Sequence, residues 1–327
     1  MILKKKQIIV LIFLFLLTHL RSQQNSHFSL YRQHFNMLNP AFTGTEGGSI
    51  INMTFRSQWS GIKDSPETQV ISFGTPTAGN RMGIGFSVIN DKTFVEKQIQ
   101  SFINFSYRLQ LSNKLDLYLG IQSGGNFYSV NSSNLNVYGD SEITDQRLFL
   151  NYSRINPNIG VGIYFKHENF YFSLSAPKIL NSERFKRTEG ITSTPTDRVH
   201  TYTTAGVFIP LNEQWEFIPS FLLSYVKAAP MLLTLNATIS YNKKIEFGTE
   251  YNFQSGLGGT IMINTGKTFS FGYAYITSMQ KEINTFSTGT HEALLKIKIA
   301  DFKAKTTITE KSPNTPLSVK KINTIKK

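Results

Sequence analysis

Cysteine is missing from all 327 residues. Its absence excludes disulfide staples, a thiolate metal site and a lipidated N-terminus. Long apolar runs are equally scarce. After Ile8–Leu17 no stretch approaches the roughly 20 residues that a transmembrane helix takes. Only six histidines occur, and the five beyond residue 22 (His27, His34, His167, His200, His291) lack metal-ligand spacing. Each reads as a satisfied or solvent-exposed ring.

Acid is in deficit. Lys and Arg number 34 against 21 Asp and Glu, a formal charge of +13, of which Lys4, Lys5, Lys6 and Arg21 supply four. Of the remaining +9, residues 301–327 hold +5, so the body is only mildly basic and nucleic acid is not an expected partner. Catalytic patterns are missing too. Asp197 to His200 could supply a base and its orienter, but no G-x-S-x-G elbow accompanies them. Gly256 to Gly259 has no following helix, and Glu246 and Glu250, sharing one strand face, read as solvated charge. No enzyme and no cofactor are expected.

What is present begins with three lysines, the ten-residue apolar run and a small-residue cleavage signal after Ser22, the pattern of a secretory signal peptide over residues 1–22. From about Ser49 to Ala300 the dominant period is two. Within Gln98 to Gln110 one face carries Ile99, Ile103, Phe105, Tyr107 and Leu109, and the other Gln98, Gln100, Asn104, Ser106 and Arg108. Strands of that length, tilted, cross an apolar band of about 25 Å, whereas a soluble sandwich uses five or six residues. The face assignment makes Met53, Phe55 and Trp59 lipid-facing, with Asn52, Arg56 and Gln58 toward the lumen. It also makes Asn104 a wet position that would tolerate arginine.

Counting such runs predicts an all-β, transmembrane, antiparallel up-and-down barrel of about 14 strands over residues 49–302. Tight turns at 77–80, 112–114, 167–169, 211–214, 242–244 and 265–267 alternate with connections that include two long ones, 129–154 and 181–198. With an even count both chain ends fall on the short-turn, periplasmic side. Aromatic rings near strand ends (Trp59, Tyr107, Phe127, Tyr164, Trp215, Tyr225, Tyr241, Tyr251, Phe269, Tyr275) fit headgroup girdles.

Glycines fall on the polar face at Gly83, Gly85, Gly120, Gly124, Gly160, Gly162, Gly206, Gly248, Gly258 and Gly272. They relieve strand curvature or sit beneath neighbouring aromatics, or else admit a segment close to the wall. The candidate is residues 23–48, a periplasmic or plug segment, aperiodic yet carrying Phe28, Tyr31, Phe35 and Phe42. Residues 303–327, Lys-rich with Pro313 and Pro316, read as a flexible periplasmic tail.

The stretches HFSLYRQHFNMLNPAFTGTEGG, FRSQWSGIKDSPETQ and GIGFSVINDK, in that order, resemble the PorP/SprF family, outer-membrane proteins of the type IX secretion and gliding apparatus of Bacteroidetes. The resemblance runs from about residue 28 to residue 300, with Phe42 where tyrosine is expected. It implies a barrel without enzymatic activity, in the outer membrane of a Gram-negative bacterium, assisting export or anchoring of a large secreted or gliding protein. A passive solute porin is the alternative. Implied partners are periplasmic and outer-membrane components of the secretion machinery, a cognate secreted surface protein and outer-membrane lipid. Asn39, Pro40, Ala41, Arg56, Gln58, Trp59, Pro66, Thr68 and Gln69 match the family motifs and are expected to be structural or partner-facing.

Overall fold

The computed structural model describes residues 28–77, 79–131, 152–183, 196–227, 229–253, 256–266, 268–278 and 285–301. The expected signal peptide, residues 1–22, and the expected tail, residues 303–327, lie outside them. Fourteen long strands form the wall: β1 Gly48–Ser57, β2 Glu67–Pro76, β3 Met82–Thr93, β4 Glu96–Gln110, β5 Leu115–Val130, β6 Tyr152–His167 and β7 Phe170–Lys178, then β10 His200–Val207, β12 Trp215–Val226, β13 Leu232–Tyr241, β14 Ile245–Asn252, β15 Gly256–Asn264, β16 Phe269–Ser278 and β17 Thr290–Asp301. Two-residue strands β8 (Ser182–Glu183) and β9 (Thr196–Asp197) pair with each other, and β11 (Ile209–Pro210) pairs with β12.

Each wall strand is antiparallel to its neighbours. β1 pairs with β17 and β10 pairs with both β7 and β12, so the sheet closes on itself and leaves no edge. Closure satisfies the backbone without water, as a lipid environment demands.

One end of the barrel carries the tight connections foreseen in the sequence. Between β13 and β14, Asn242 and Lys243 have φ of 49° and 56°, the left-handed pair that lets a two-residue turn follow strand twist. Gly48 and Asp301, the outer ends of β1 and β17, also lie at this end, paired in register. At the other end Val130 pairs with Tyr152 and Lys178 with His200, the strand ends that flank the two longest connections.

The outer face is apolar from strand to strand. Met53, Phe55, Ile71, Phe86, Ile103, Phe105, Ile121, Val161, Leu235, Phe247 and Tyr273 are all exposed, while the alternating Asn52, Thr54, Ser72, Ser87, Asn104 and Gln122 are buried on the inner face. Exposed apolar and buried polar side chains invert a soluble protein and match a barrel in lipid.

Three face assignments change. β1 stops at Ser57, so Gln58 and Trp59 belong to the following loop, where Trp59 has φ 53°. Tyr164 shares the inner face with Gly160 and Gly162 and is buried rather than part of a girdle. Tyr107, Phe127, Trp215, Tyr225, Phe269 and Tyr275 do face outward, exposed.

Candidate functional site

Part of the inner face is covered by the chain itself. Residues 28–47 lie against it, folded into three short 3-10 turns: Tyr31–Gln33, Phe35–Met37 and Pro40–Phe42. Asn39 starts the last of these. Its Oδ1 accepts from Ala41 N at 2.9 Å, and Pro40 fills the first position, where no N–H is needed. Such turns leave no helical or strand period, which is why the stretch read as aperiodic.

The segment follows the wall from one end toward the other. Near the short-turn end, Lys166 Nζ donates to Thr45 O at 2.7 Å and Ser106 Oγ donates to Thr43 O at 2.5 Å. Further along, Asn39 Nδ2 donates to Ile163 O (2.8 Å) and Ser173 Oγ (2.7 Å), and Ser175 Oγ donates to Leu38 O at 2.7 Å. His34 is held through both ring nitrogens, Nδ1 at 2.7 Å from Thr54 Oγ1 and Nε2 at 3.0 Å from Ser72 Oγ. Finally Ser29 N and Leu30 N donate to Oε2 and Oε1 of Glu292, at 2.9 and 3.0 Å. Glu292 is the third residue of β17 from its long-loop end.

Aromatic packing fixes the middle. The Phe35 ring meets Phe42 at 5.0 Å, Tyr171 at 5.4 Å and Tyr164 at 6.1 Å, and Phe42 meets Tyr164 edge-on at 5.3 Å. Burying such a side chain contributes about 1.5–3 kcal/mol, and edge-on ring pairs add about 0.5–1.5. Burial pushes the Tyr31 phenol up from its ordinary value. Burial, with Lys296 nearby, pushes the His34 imidazolium down to about 3, so the ring is neutral in its pocket.

Glycines make room for the backbone. A Cβ at Gly120 would lie 2.0 Å from Ala41 N, and one at Gly83 2.1 Å from Thr43 O. Gly162 and Gly85 face Asn39 and Thr43 in the same way, and Gly272 faces Leu30. The other glycines answer to the wall itself: Gly124 lies under Phe102, Gly206 under the Tyr171 ring, Gly160 against Pro177 and Gly248 against Thr260. Gly124 and Gly206 thus sit beneath aromatic rings, whereas Gly83, Gly120 and Gly162 admit the segment.

Charge reinforces the contact. Arg32 pairs with Glu246 and Glu46 pairs with Lys296. Glu292 has Arg56 Nη1 at 3.7 Å across the β1–β17 ladder. The carboxylates read from the sequence as solvated are therefore not so: Glu246 holds the segment and Glu250 is 1 % exposed. Among the described residues, no three His, Asp or Glu side chains stand close enough to hold a metal ion.

The nine motif residues separate into two places. Asn39, Pro40 and Ala41 are buried at the contact between the segment and strands β5 and β6. Arg56 and Thr68 are register partners on the inner face near the long-loop end, both buried, and Thr68 Oγ1 donates to Asp91 Oδ1 at 2.8 Å. Gln58 and Pro66 close the intervening loop through Gln58 N and Pro66 O at 2.9 Å, and Trp59 sits within it. Gln69 points outward and accepts from Asn90 Nδ2. Glu292, Arg32, Lys296 and Ser175 were missed, and Glu246 and His34 were read only as a solvated charge and a satisfied or exposed ring. The only signal was charge at inner-face parity in β14 and β17.

Against known families, residues 20–297 match the model described as "Type IX secretion system membrane protein PorP/SprF". The chain belongs to the PorP/SprF family. A search of curated proteins finds no match. Among solved structures, the toluene transporter TbuX of Ralstonia pickettii shares 10% identity over 80% of this chain and 92% of its own, with TM-score 0.48. Omp33 of Acinetobacter baumannii shares 9% over 77% and 99%, TM-score 0.43, and the P. putida toluene transporter TodX 10% over 79% and 90%, TM-score 0.41. These likenesses are too distant to carry an argument about cargo. The PorP/SprF assignment makes the chain an outer-membrane β-barrel of the type IX secretion system.

Proposed function

We propose that this chain is a non-enzymatic accessory barrel, closed by its own residues 28–47, that helps the type IX machinery export or anchor one cognate surface protein. Support for the machinery comes from the family match. The observation that carries the closed state is the seating of residues 28–47 on inner-face glycines, with the Glu292 carboxylate accepting their leading N–H groups. A passive porin needs a continuous water path, and on this reading residues 28–47 interrupt it.

On this reading the short-turn end is periplasmic, which puts Gly48 and Asp301 within reach of periplasmic machine components. The motif loop 58–66 then faces the cell exterior, where Trp59 is available to a surface partner, while Asn39, Pro40, Ala41, Arg56 and Thr68 are structural. Deleting the gene and comparing the secreted and surface proteins tests this. Loss of one large secreted protein is expected, with solute uptake unchanged. An unaltered surface with impaired solute uptake points to a porin instead.

A further inference from the structure

The two parts of the inserted segment are held differently. Leu38 to Thr45 is keyed into the wall, since Gly83, Gly120 and Gly162 have no room for a Cβ beside it. Phe28 to Gln33 is instead seated by side-chain groups, among them those around Leu30. That side chain enters a pocket of Met262, Ala274, Ile276 and Leu294, above Gly272, and Glu292 at the pocket's head takes the N–H groups of residues 29 and 30.

Such a pocket specifies its occupant. Its apolar floor holds one leucine side chain, and its carboxylate accepts from two adjacent N–H groups. Glu292 is 1 % exposed, and the one cation beside it among the described pairs, Arg56, stands at 3.7 Å, beyond hydrogen-bond distance. A buried carboxylate stripped of both donors is costly unless replacements arrive. Any state in which Phe28 to Leu30 leaves therefore favours entry of another main chain.

We propose that this pocket is a polypeptide-binding site, held in cis by Phe28 to Leu30 and open in trans to a partner segment that brings a leucine-like side chain beside two adjacent main-chain N–H groups. The proposal deepens the secretion-accessory reading and rests on it for the identity of the partner. The site itself is measured on purified protein, apart from conductance and export.

The probe is a labelled synthetic peptide with the sequence of residues 28–33, titrated against the full chain in detergent. In Ser29→Pro/Leu30→Gly the cis occupant loses one N–H and its side chain. The peptide should then bind at least about tenfold more tightly than to the native chain, because the competing occupant no longer reduces the free fraction. Adding Glu292→Gln should abolish the gain. As a second measurement, Leu30→Cys gives a single thiol in a chain without cysteine, and excess peptide should speed its labelling by maleimide. If the folded double variant binds no peptide and labelling is unchanged, the pocket is only the seat of the chain's own segment. Binding that survives Glu292→Gln also overturns the proposal, because the contact then lies elsewhere.

Discussion

A Cβ placed on Gly162 would lie 1.9 Å from Oδ1 of Asn39. That oxygen already accepts from Ala41 N, so it cannot retreat without unwinding the last 3-10 turn. The wall residue and the turn residue are therefore matched, one by lacking a side chain and the other by needing its place.

Alanine at Gly120 or Gly162 should lift the segment from the wall. Overpacking of this kind costs about 1–3 kcal/mol, at the upper end where the neighbour is backbone, as Ala41 is for Gly120. Limited proteolysis of the detergent-solubilised protein should then cut within residues 28–47. Gly259→Ala, which meets nothing within 4 Å, is the control and should leave the segment protected.

The two faces of β4 give a second test. Ile103 is 51 % exposed on the lipid side, and arginine there should cost about 2–4 kcal/mol if the residue sits near the bilayer midplane. Asn104, taken from the sequence to be wet and permissive, is 0 % exposed on the inner face. Arginine at Asn104 should be tolerated no better than at Ile103, and denaturant midpoints of the two variants measure the comparison.

Histidine 34 sets a pH dependence. Its folded pKa is depressed to about 3, so between pH 6.5 and that value the unfolded chain binds a proton that the seated ring refuses. The contribution is complete above pH 6.5 and falls by up to about 1.4 kcal/mol per pH unit below it. Denaturant unfolding at pH 7 and pH 5 should show the loss, and the component due to this ring should vanish in His34→Gln. Equal pH dependence in native and variant chains would rule the ring out.

The barrel was legible because a lipid face imposes period two on each strand, and turns such as Asn242–Lys243 interrupt it visibly. The inner face was harder to read. Polar side chains such as Glu250 and Asn104 look solvated in sequence, yet both are buried in the folded chain. Nor could periodicity place Tyr164, since an aromatic near a strand end suits a girdle or a packed lumen equally. Asn39, Pro40 and Ala41 were found through motif order. Their contacts with Gly120 and Gly162 join residues far apart in sequence, which no local pattern records.

The charged contacts should respond to single neutralisations. Glu246→Gln removes the partner of Arg32, and Lys296→Gln that of Glu46. Each pair is only 14–22 % exposed and so lies between a surface pair, worth about 1 kcal/mol or less, and a fully buried one, whose breaking costs about 3–5 kcal/mol. Neither change alone should open the segment to protease, whereas Glu292→Gln, which disturbs two buried N–H contacts, should.

Single-channel conductance in planar bilayers tests the closed barrel most directly. The native chain should insert without conducting, and a chain lacking residues 28–46 that still shows the boiling-dependent gel shift of a folded barrel should conduct. Steady conductance by the native chain, unchanged on removing those residues, would contradict the account.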